Sequence, residues 1–296
     1  MIIPILTGPT ASGKTALALK LASDHQLEII NGDARAFYQG LAIGTAQPSA
    51  AEQALVPHHL FGFAPLNSPL EVECYREMAE NLIAEIFSRG KIPLVVGGSG
   101  FYLRALTRGS YITPRRDPEF TRRLEAEKPE QLLSELAEKS PRDAQRVGYN
   151  PRRLVRAVEI LRRTGLAPSE LPWRPPRFTY SELIIWPPRE KLRAAIKARI
   201  ESQMAAGWLA EAAMAYQQYP ESPVLASTPG YPELQGYLEG KVSLPGAQLQ
   251  IQKRVWDLAK RQYTWFRRQE NAAYLVSEGS GLREAQVWIL RTLARE

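Results

Sequence analysis

The sequence predicts an α/β protein: a P-loop NTPase-like parallel sheet with flanking helices and a small helical insert. Over the first 100 residues, short β-branched apolar segments alternate with segments of helical spacing, a pattern typical of a parallel sheet covered by helices on both faces. A glycine-rich phosphate-binding motif separates the first apolar segment from the first helical one. After about residue 115 the helical period continues without convincing strands, which indicates an insert.

The amino-terminal elements alternate in order. Residues 2–7 (IIPILT) predict a strand, followed by a glycine turn and a helix. Residues 27–33 (LEIINGD) repeat the strand and the turn. Residues 70–89 have the spacing of an amphipathic helix, and residues 92–100 (IPLVVGGSG) predict a buried strand that ends in glycines. This order favours parallel strands joined by helical crossovers.

The remainder of the chain is mostly helical. A proline-rich connector spans residues 169–178, and ELIIW at 182–186 predicts a strand that returns to the sheet. We therefore expect an α/β core formed by residues 1–114 and 166–296, with residues 115–165 inserted as a helical unit. Helical periodicity covers residues 117–139, 151–164, 189–219, 246–268 and 281–294.

Composition excludes several classes of protein. The chain has 296 residues, of which 44% are hydrophobic, enough to bury a core. The single cysteine, Cys74, cannot form an internal disulfide, and no Cys/His cluster has zinc spacing, so we expect a reducing cytoplasm. The start has no basic segment of a signal peptide, and no apolar run of about 18 residues predicts a membrane span. The net charge of +7 fits an ordinary basic protein or one with a polyanionic partner.

The phosphate-binding motif is GPTASGKT at residues 8–15, which fits the ATP-type P-loop pattern G-x-x-x-x-G-K-[ST] between a strand and a helix. Its glycines let backbone N–H groups surround phosphate oxygens, and the helix N-terminus adds its positive dipole end. Lys14 supplies a point charge, and the Thr15 hydroxyl can bind Mg²⁺. The motif indicates a diphosphate or triphosphate without specifying a nucleotide. The candidate binding residues are Gly8, Pro9, Thr10, Ala11, Ser12, Gly13, Lys14 and Thr15.

P-loop NTPases normally carry an acid at a strand end for metal and water chemistry, and Asp33, at the end of the second predicted strand, is the candidate, with a turn or helix-cap aspartate as the alternative. Further blocks follow: D-x-R-x-x-Y at the aspartate, then IGTAQPS, VPHHL, VVGGSGFY, RRLVRAVEI and AKRQYTWFRR. In this order the blocks resemble the tRNA dimethylallyltransferase (tRNA isopentenyltransferase) family from Gly8 to about Arg268. The combination is far more specific than the phosphate loop alone.

The resemblance implies an enzyme that transfers a dimethylallyl group from dimethylallyl diphosphate to an adenosine N6 amine in tRNA. The adenosine is position 37, 3′-adjacent to the anticodon, in tRNAs that read codons beginning with U. Thr10, Lys14 and a Mg²⁺ on Thr15 would hold the diphosphate. Asp33 would be the general base toward the amine. Arg199 matches an arginine associated with the diphosphate, with a solvated helix charge as an equal alternative.

The resemblance also implies contacts with the tRNA anticodon stem-loop, whose target base must leave its stack. Ser99 matches a position that faces the tRNA, and the segment that matches residues 152–156 contacts it. Arg123 adds positive charge near the start of the insert. We expect Phe101 and Tyr102 in the core rather than on a base-stacking platform.

A basic face is predicted on the helical segment 246–268. Lys253, Lys260 and Arg267 recur every seven residues, nearly two helical turns, and the residue after each is an arginine with the same repeat. A solvated face would usually mix charge signs, so this face favours phosphate binding. The candidate tRNA-binding residues are Asp33, Ala34, Arg35, Ala36, Ser99, Arg123, Arg152, Arg153, Arg156, Lys253, Lys260 and Arg267.

Two segments depart from the family pattern. The family usually has D-S-x-Q-x-Y after the second strand, whereas this chain has Ala34 and Ala36 on either side of Arg35. The usual T-R-Q-Y before AKRQ is replaced by VWDL at residues 255–258. Alanine cannot hydrogen-bond a base edge through its side chain, so we predict retained chemistry with altered RNA readout.

Three other functions compete. Prenylation of free adenylate would share the phosphate loop and the aspartate but would not need the basic surfaces. A small-molecule P-loop kinase would transfer phosphate from ATP. A non-catalytic RNA-binding descendant is suggested by Ala34 and Ala36, although it would have no use for Lys14, Thr15 and Asp33. We expect a monomer with no membrane partner.

Overall fold

The computed structural model describes residues 2–269, 272–275 and 281–294. The chain divides into two compact units, Met1–Thr107 with Arg177–Glu296 and Arg108–Pro176. The strands, in chain order, are β1 (Ile2–Thr7), β2 (Leu27–Asn31), β3 (His58–His59), β4 (Ile92–Gly97), β5 (Ser110–Tyr111), β6 (Trp173–Arg174), β7 (Thr179–Ile185) and β8 (Ala273–Leu275).

The helices cover most of the remaining described chain, together with one 3₁₀ turn at Pro168–Glu170. Many begin with a proline in the first turn, where its missing N–H and fixed φ suit a helix start. In chain order they are α1 (Lys14–Asp24), α2 (Ala50–Leu55), α3 (Val72–Ser88), α4 (Gly100–Arg108), α5 (Pro118–Glu125), α6 (Pro129–Lys139), α7 (Pro141–Val147), α8 (Pro151–Thr164), α9 (Arg189–Ala205), α10 (Trp208–Gln218), α11 (Pro223–Ser227), α12 (Tyr231–Leu238), α13 (Leu244–Phe266) and α14 (Gly281–Leu293).

Within the described residues, the larger unit contains one sheet of six parallel strands in the order β3-β2-β4-β1-β7-β8. This confirms the predicted α/β class. Because the strands are parallel, the carboxyl ends of β1, β2 and β4 meet at one edge. The phosphate loop, Asp33 and Ser99 each follow one of these strands, so the topology brings three distant sequence motifs together.

Both faces of the sheet are covered. On β1, Ile3 and Ile5 face a core that includes residues of α3, α9 and α13. Leu6 faces the opposite core, with Leu21 of α1 and Ile289 of α14. Strands buried on both faces read as continuous apolar runs, which is why IIPILT and IPLVV were recognisable in the sequence.

The smaller unit consists mainly of α5–α8, whose core includes Leu124, Leu136, Leu154 and Val158. It begins before and ends after the predicted insert, because the antiparallel pair β5–β6 belongs to it. The single helical segment predicted at 117–139 is divided into α5 and α6. The division precedes Pro129, which starts α6 and could not continue α5.

Some elements differ from the sequence predictions. The predicted helix at 189–219 breaks at Gly207 into α9 and α10. The returning strand begins at Thr179, three residues earlier than predicted, because Thr179–Ser181 pair with β1. The two-residue strands and β8 were not predicted, since such short segments carry no period of their own. None of the described helices has the length and apolar character that a membrane span would need.

Candidate active site

The phosphate loop leaves β1 at Thr7 and ends where α1 begins. Gly8 has a φ of 149°, and a Cβ there would lie 2.6 Å from the backbone oxygen of Ile185, so glycine alone fits beside β7. Ala11 has a φ of 60°, a left-handed conformation that costs an alanine roughly 1–2 kcal/mol. The surrounding fold, and not local preference, therefore sets the shape of this loop.

Lys14 is the enclosed cation of the loop. Its Nζ donates to the backbone oxygens of Gly8 at 3.0 Å and of Pro9 at 2.7 Å. Burial of the ammonium lowers the pKa of Lys14 from 10.5 to about 8; the Asp33 carboxylate opposes this shift and the Arg199 guanidinium adds to it. A bound diphosphate would favour the charged amine, so phosphate binding and protonation of Lys14 should be coupled.

Arg199 reaches the phosphate loop from α9. Its Nη1 donates to the Thr10 hydroxyl at 3.2 Å, and its side chain lines the same cavity as Lys14. Burial lowers the pKa of Arg199, while the Asp33 carboxylate raises it. A partly buried guanidinium that is hydrogen-bonded to the loop is not a fully solvated helix charge, while its role toward a diphosphate stays a prediction. Two cations thus lie at the loop, where they could neutralise the charge of a bound phosphate.

Asp33 occupies a turn just after β2. Its Oδ1 accepts the backbone N–H of Arg35 at 3.0 Å and lies 3.5 Å from the Ser99 hydroxyl, at the limit of a hydrogen bond. The Asn31 side chain fixes the turn, accepting from the Asp33 N–H at 2.8 Å and donating to the Leu60 oxygen at 2.9 Å. Within the described residues Oδ2 has no hydrogen bond. The carboxylate therefore has one oxygen that orders the turn and one that can accept a proton.

A cavity of about 510 Å³ joins these groups. Its charged part contains Lys14, Arg199 and Asp33. The other walls include apolar groups of Ala36, Phe61, Val96 and Ala195. Such a lining suits a ligand with a phosphate head and a short hydrocarbon tail, because the head can meet the cations while the tail avoids water.

Thr15, the predicted magnesium ligand, also lines the cavity. Across residues 2–269, 272–275 and 281–294, no group of three or more His, Cys, Asp and Glu side chains could hold a metal ion. Mg²⁺ usually binds through one or two protein oxygens together with substrate phosphates. The Thr15 hydroxyl fits that pattern, in which the substrate supplies the other ligands.

Comparison with known proteins decides the family. Residues 36–269 match the IPP transferase family, and residues 1–56 match isopentenyl transferase. The chain belongs to the IPP transferase family. It is 44% identical to a tRNA dimethylallyltransferase of Thermus thermophilus, over 94% of this chain and 93% of the relative. It is 43% identical to a tRNA dimethylallyltransferase of Deinococcus radiodurans, over 92% of this chain and 91% of that relative.

The fold is that of solved IPP transferases. The tRNA isopentenylpyrophosphate transferase of Bacillus halodurans superposes with a TM-score of 0.74 at 29% identity, covering 99% of this chain and 97% of that one. A eukaryotic dimethylallyltransferase solved while acting on tRNA superposes with a TM-score of 0.86 at 23% identity, covering 99% and 79%. The latter likeness concerns the fold alone.

Gln262 is a site residue that sequence reasoning missed, although it lies in the family block AKRQYTWFRR. Its Oε1 accepts the backbone N–H of Thr10 at 2.8 Å, and its Nε2 donates to the Gly98 oxygen at 2.8 Å. This buried amide therefore ties the phosphate loop to the end of β4. The sequence did not predict this role for Gln262, because its partner Thr10 lies 252 residues away in the chain.

Glu211 is a second residue that the sequence did not reveal. Its carboxylate accepts the N–H groups of Ile43 at 2.7 Å and Gly44 at 2.9 Å, and the Tyr231 hydroxyl at 2.7 Å. Gln203 donates to the Ile43 oxygen at 2.6 Å. Both side chains are buried, so they hold the segment that leads into the cavity wall at Thr45 and Ala46.

The predicted readout positions lie close to Asp33. The Ala34 N–H donates to the Ser99 hydroxyl at 2.8 Å, so Ser99 supports the aspartate turn. Ala36 is buried and lines the cavity. Arg35 donates to the Ser227 hydroxyl at 3.0 Å, and burial lowers its pKa. These positions surround the proposed base, while their RNA contacts stay a prediction.

The predicted basic face on α13 is largely exposed. Lys253 and Lys260 on the helix and Arg267 just after its end are all exposed. Lys260 already has a counter-ion, because its Nζ lies 2.7 Å from Asp257 Oδ1. Arg254 departs from the expectation: it donates to Glu233 at 2.8 Å and to the Ala226 oxygen, which turns it toward the protein. Their role in tRNA binding stays a prediction.

The insert arginines fall into two groups. Arg152 and Arg153 are exposed at the start of α8. Arg156 is largely buried and donates to Glu159 at 2.8 Å and to the Pro114 oxygen, so its contacts favour a structural role over the predicted tRNA contact. Arg123 is exposed but pairs with Glu119 one turn before it on α5.

Phe101 and Tyr102 follow Ser99 at the start of α4. The expectation of a core position holds for Tyr102, which packs against the main core and donates to the Leu70 oxygen at 2.6 Å. It is wrong for Phe101, which is 62% exposed. The helical period places adjacent residues about 100° apart, so one of the pair faces the core and the other faces solvent.

Proposed function

We propose that this chain transfers a dimethylallyl group from dimethylallyl diphosphate to the N6 amine of adenosine 37 in tRNAs that read codons beginning with U. The observation that carries the proposal is the cavity that Lys14 of the phosphate loop, Arg199 of α9 and Asp33 line together. Family membership supports it, as do curated relatives named tRNA dimethylallyltransferase over more than nine-tenths of this chain.

The reaction follows from the positions of these groups. The adenine N6 forms a bond to C1 of the dimethylallyl group as the C1–O bond breaks and diphosphate leaves. Asp33 Oδ2 accepts the proton that the amine loses, which suits a weakly nucleophilic aryl amine. Lys14, Arg199 and loop N–H groups stabilise the charge that develops on the leaving diphosphate.

Mg²⁺ is the cofactor that we propose, and the Thr15 hydroxyl would help to hold it beside the substrate. When bound, it would neutralise part of the charge on the leaving group. The protein's own contribution is the positive phosphate loop, which orients the diphosphate so that C1 faces Asp33. We propose the tRNA anticodon stem-loop as the nucleic-acid partner, with the protein acting as a monomer in the cytoplasm.

Free adenylate as acceptor is the competing function. The exposed Lys253 on α13 and Arg267 just after it favour RNA, since a mononucleotide would not need this basic surface. The test is a side-by-side assay with labelled dimethylallyl diphosphate, unmodified tRNA, AMP and ATP, followed by nucleoside mass spectrometry. We expect N6-prenyladenosine in tRNA only. Prenylated AMP at a comparable rate, or ATP hydrolysis without prenyl transfer, would contradict the proposal.

Neutralising the basic face of α13 should weaken tRNA binding in a salt-dependent way. Removal of one phosphate contact should flatten the log–log salt dependence of binding by roughly 0.7–0.9. The variant carries Lys253→Gln, Lys260→Gln and Arg267→Gln, and the measurement is a filter-binding series across ionic strength.

A matched control carries three Lys→Gln changes at exposed lysines off α13, namely Lys20, Lys197 and Lys241. Its net charge equals that of the α13 variant, so only local phosphate contacts distinguish the two. If both triple variants show the same salt dependence of tRNA binding, the basic face of α13 makes no phosphate contacts and is simply solvated.

A further inference from the structure

Phe101 is an exposed aromatic side chain on the segment that follows β4. It is 62% exposed at the first turn of α4, and its contact with Tyr102 is T-shaped, with ring centroids 6.1 Å apart. A T-shaped contact at that exposure leaves ring surface of Phe101 open to a planar partner. An apolar ring in water gains free energy when such a partner covers it.

The segment that carries Phe101 contacts the turn of the proposed base through Ser99. Ser99, two residues earlier, accepts the Ala34 N–H at 2.8 Å and its hydroxyl lies 3.5 Å from Asp33 Oδ1. Phe101 follows on the same short segment, at the carboxyl edge of β4. It does not line the cavity that holds Lys14 and Arg199, so it lies outside the diphosphate pocket.

The basic helix α13 reaches the same segment. A Cβ at Gly100 would collide with the indole of Trp265, so α13 packs directly against the start of α4. Arg261 and Arg268 lie one turn before and after Trp265, and both are exposed. Phe101 therefore lies on a segment that contacts the Asp33 turn through Ser99 and the end of α13 through Gly100.

Arg104, one turn beyond Phe101 on α4, adds to this surface. It is exposed, and in the part of the chain that the structure describes it has neither a hydrogen bond nor an ion pair. An exposed aromatic ring with an arginine one turn away on the same helix offers the two contacts that single-stranded RNA loops use, bases stacked on rings and phosphates on arginines. An apolar protein partner would instead be hindered by the charge.

We propose that Phe101 stacks on the nucleobase next to the target adenosine and so holds the RNA loop open for transfer, with Arg104 on a neighbouring phosphate. The inference rests on the proposed function. It assigns to this ring the positioning contribution that Ala34 and Ala36 cannot make, since neither side chain can hydrogen-bond a base edge.

The first test compares binding of an unmodified anticodon stem-loop RNA to Phe101 variants by fluorescence anisotropy. Phe101→Ala should raise the Kd roughly 5- to 150-fold, the range of base–aromatic stacking. Phe101→Trp should bind at least as well as wild type, whereas Phe101→Leu, apolar but without a ring, should resemble alanine. The KM for dimethylallyl diphosphate and the melting temperature should not change.

Phe87→Ala is the matched control. Phe87 is 48% exposed near the end of α3 and lies beside Ile2 and Pro93 at the amino edge of the sheet. Its loss should leave RNA affinity unchanged. Leucine as effective as phenylalanine at position 101, or an equal loss from Phe87→Ala, would overturn the stacking role.

The second test is a double-mutant cycle with RNA in which either neighbour of the target adenosine is abasic. Removing the base that stacks on Phe101 should weaken binding to the wild-type protein by the same factor as Phe101→Ala does with intact RNA. Combining that abasic RNA with Phe101→Ala should weaken binding no further. Additive losses with both abasic RNAs would refute the proposal. Failure of the proposed function would look different: wild type would then transfer no prenyl group to tRNA, whatever the cycle gave.

Discussion

Replacing Lys14 with alanine should lower kcat for prenyl transfer by about 10²–10³, the usual cost of removing one preorganised donor from a developing anion. Lys14 is the enclosed cation of the phosphate loop, and Arg199 approaches the same loop. The loss should fall on kcat because the leaving diphosphate carries more charge at its bridging oxygen in the transition state than in the substrate. Single-turnover transfer to tRNA at saturating dimethylallyl diphosphate is the measurement.

The pH dependence gives this prediction a second readout. The pKa of Lys14 is lowered to about 8, chiefly by burial. The ratio kcat/KM for dimethylallyl diphosphate reports the free enzyme, so it should fall as pH rises through about 8 and Lys14 loses its proton. The residual activity of Lys14→Ala should not show this fall in kcat/KM as the pH rises.

Prenyl transfer by Lys14→Ala at nearly the wild-type rate would contradict the proposed role of the phosphate loop in catalysis. Lys197→Ala is the control, an exposed lysine on α9 away from the loop. It should change neither kcat nor the pH profile, because its charge is screened by solvent.

Asp33→Asn should lower turnover by roughly 10²–10⁴ while tRNA binding survives. Asparagine keeps the shape and the oxygen that accepts the Arg35 N–H, so the turn after β2 should remain intact. It removes the basicity of Oδ2, which is the atom assigned to the proton of the amine. The measurements are single-turnover prenyl transfer and tRNA affinity on the same preparation.

The exposed carboxylate Glu190 on α9 provides the control as Glu190→Gln, which should retain full activity. Loss of tRNA binding together with an intact chemical rate in Asp33→Asn would make Asp33 structural. The Ser99 hydroxyl at 3.5 Å offers a graded comparison, since Ser99→Ala removes one neighbour of the carboxylate without removing the carboxylate itself.

Local patterns were reliable where the residues that define an element or motif are close in sequence. The phosphate loop needs only a strand, two glycines and a lysine within about a dozen residues, and the buried strands IIPILT and IPLVV identify themselves by their apolar runs. The order of these elements also predicted that the strands are parallel. Local patterns failed where an element is two or three residues long, as β3 and β8 are, because neighbouring strands impose such pairing.

Charge periodicity was only partly informative, for a physical reason. A repeat of seven residues shows that side chains share a helix face, but not whether that face meets solvent or another element. Lys253 on α13 and Arg267 just after it are indeed exposed, whereas Arg254 and Arg156 are paired with carboxylates of the protein. Ion pairing within the fold competes with RNA for arginines, and spacing alone does not report that competition.

The sequence by itself determined the α/β class, the phosphate loop, the aspartate after the second strand and the family that the chain resembles. Only the tertiary structure decided which distant side chains meet the phosphate loop, Arg199 on Thr10 across 189 residues and Gln262 across 252, and that Phe101 lies outside the core. The reason is that motifs are local in sequence, whereas burial and long-range hydrogen bonds depend on which elements the sheet brings to its carboxyl edge. A half-buried arginine and an exposed one look identical in a helical pattern, and packing alone distinguishes them.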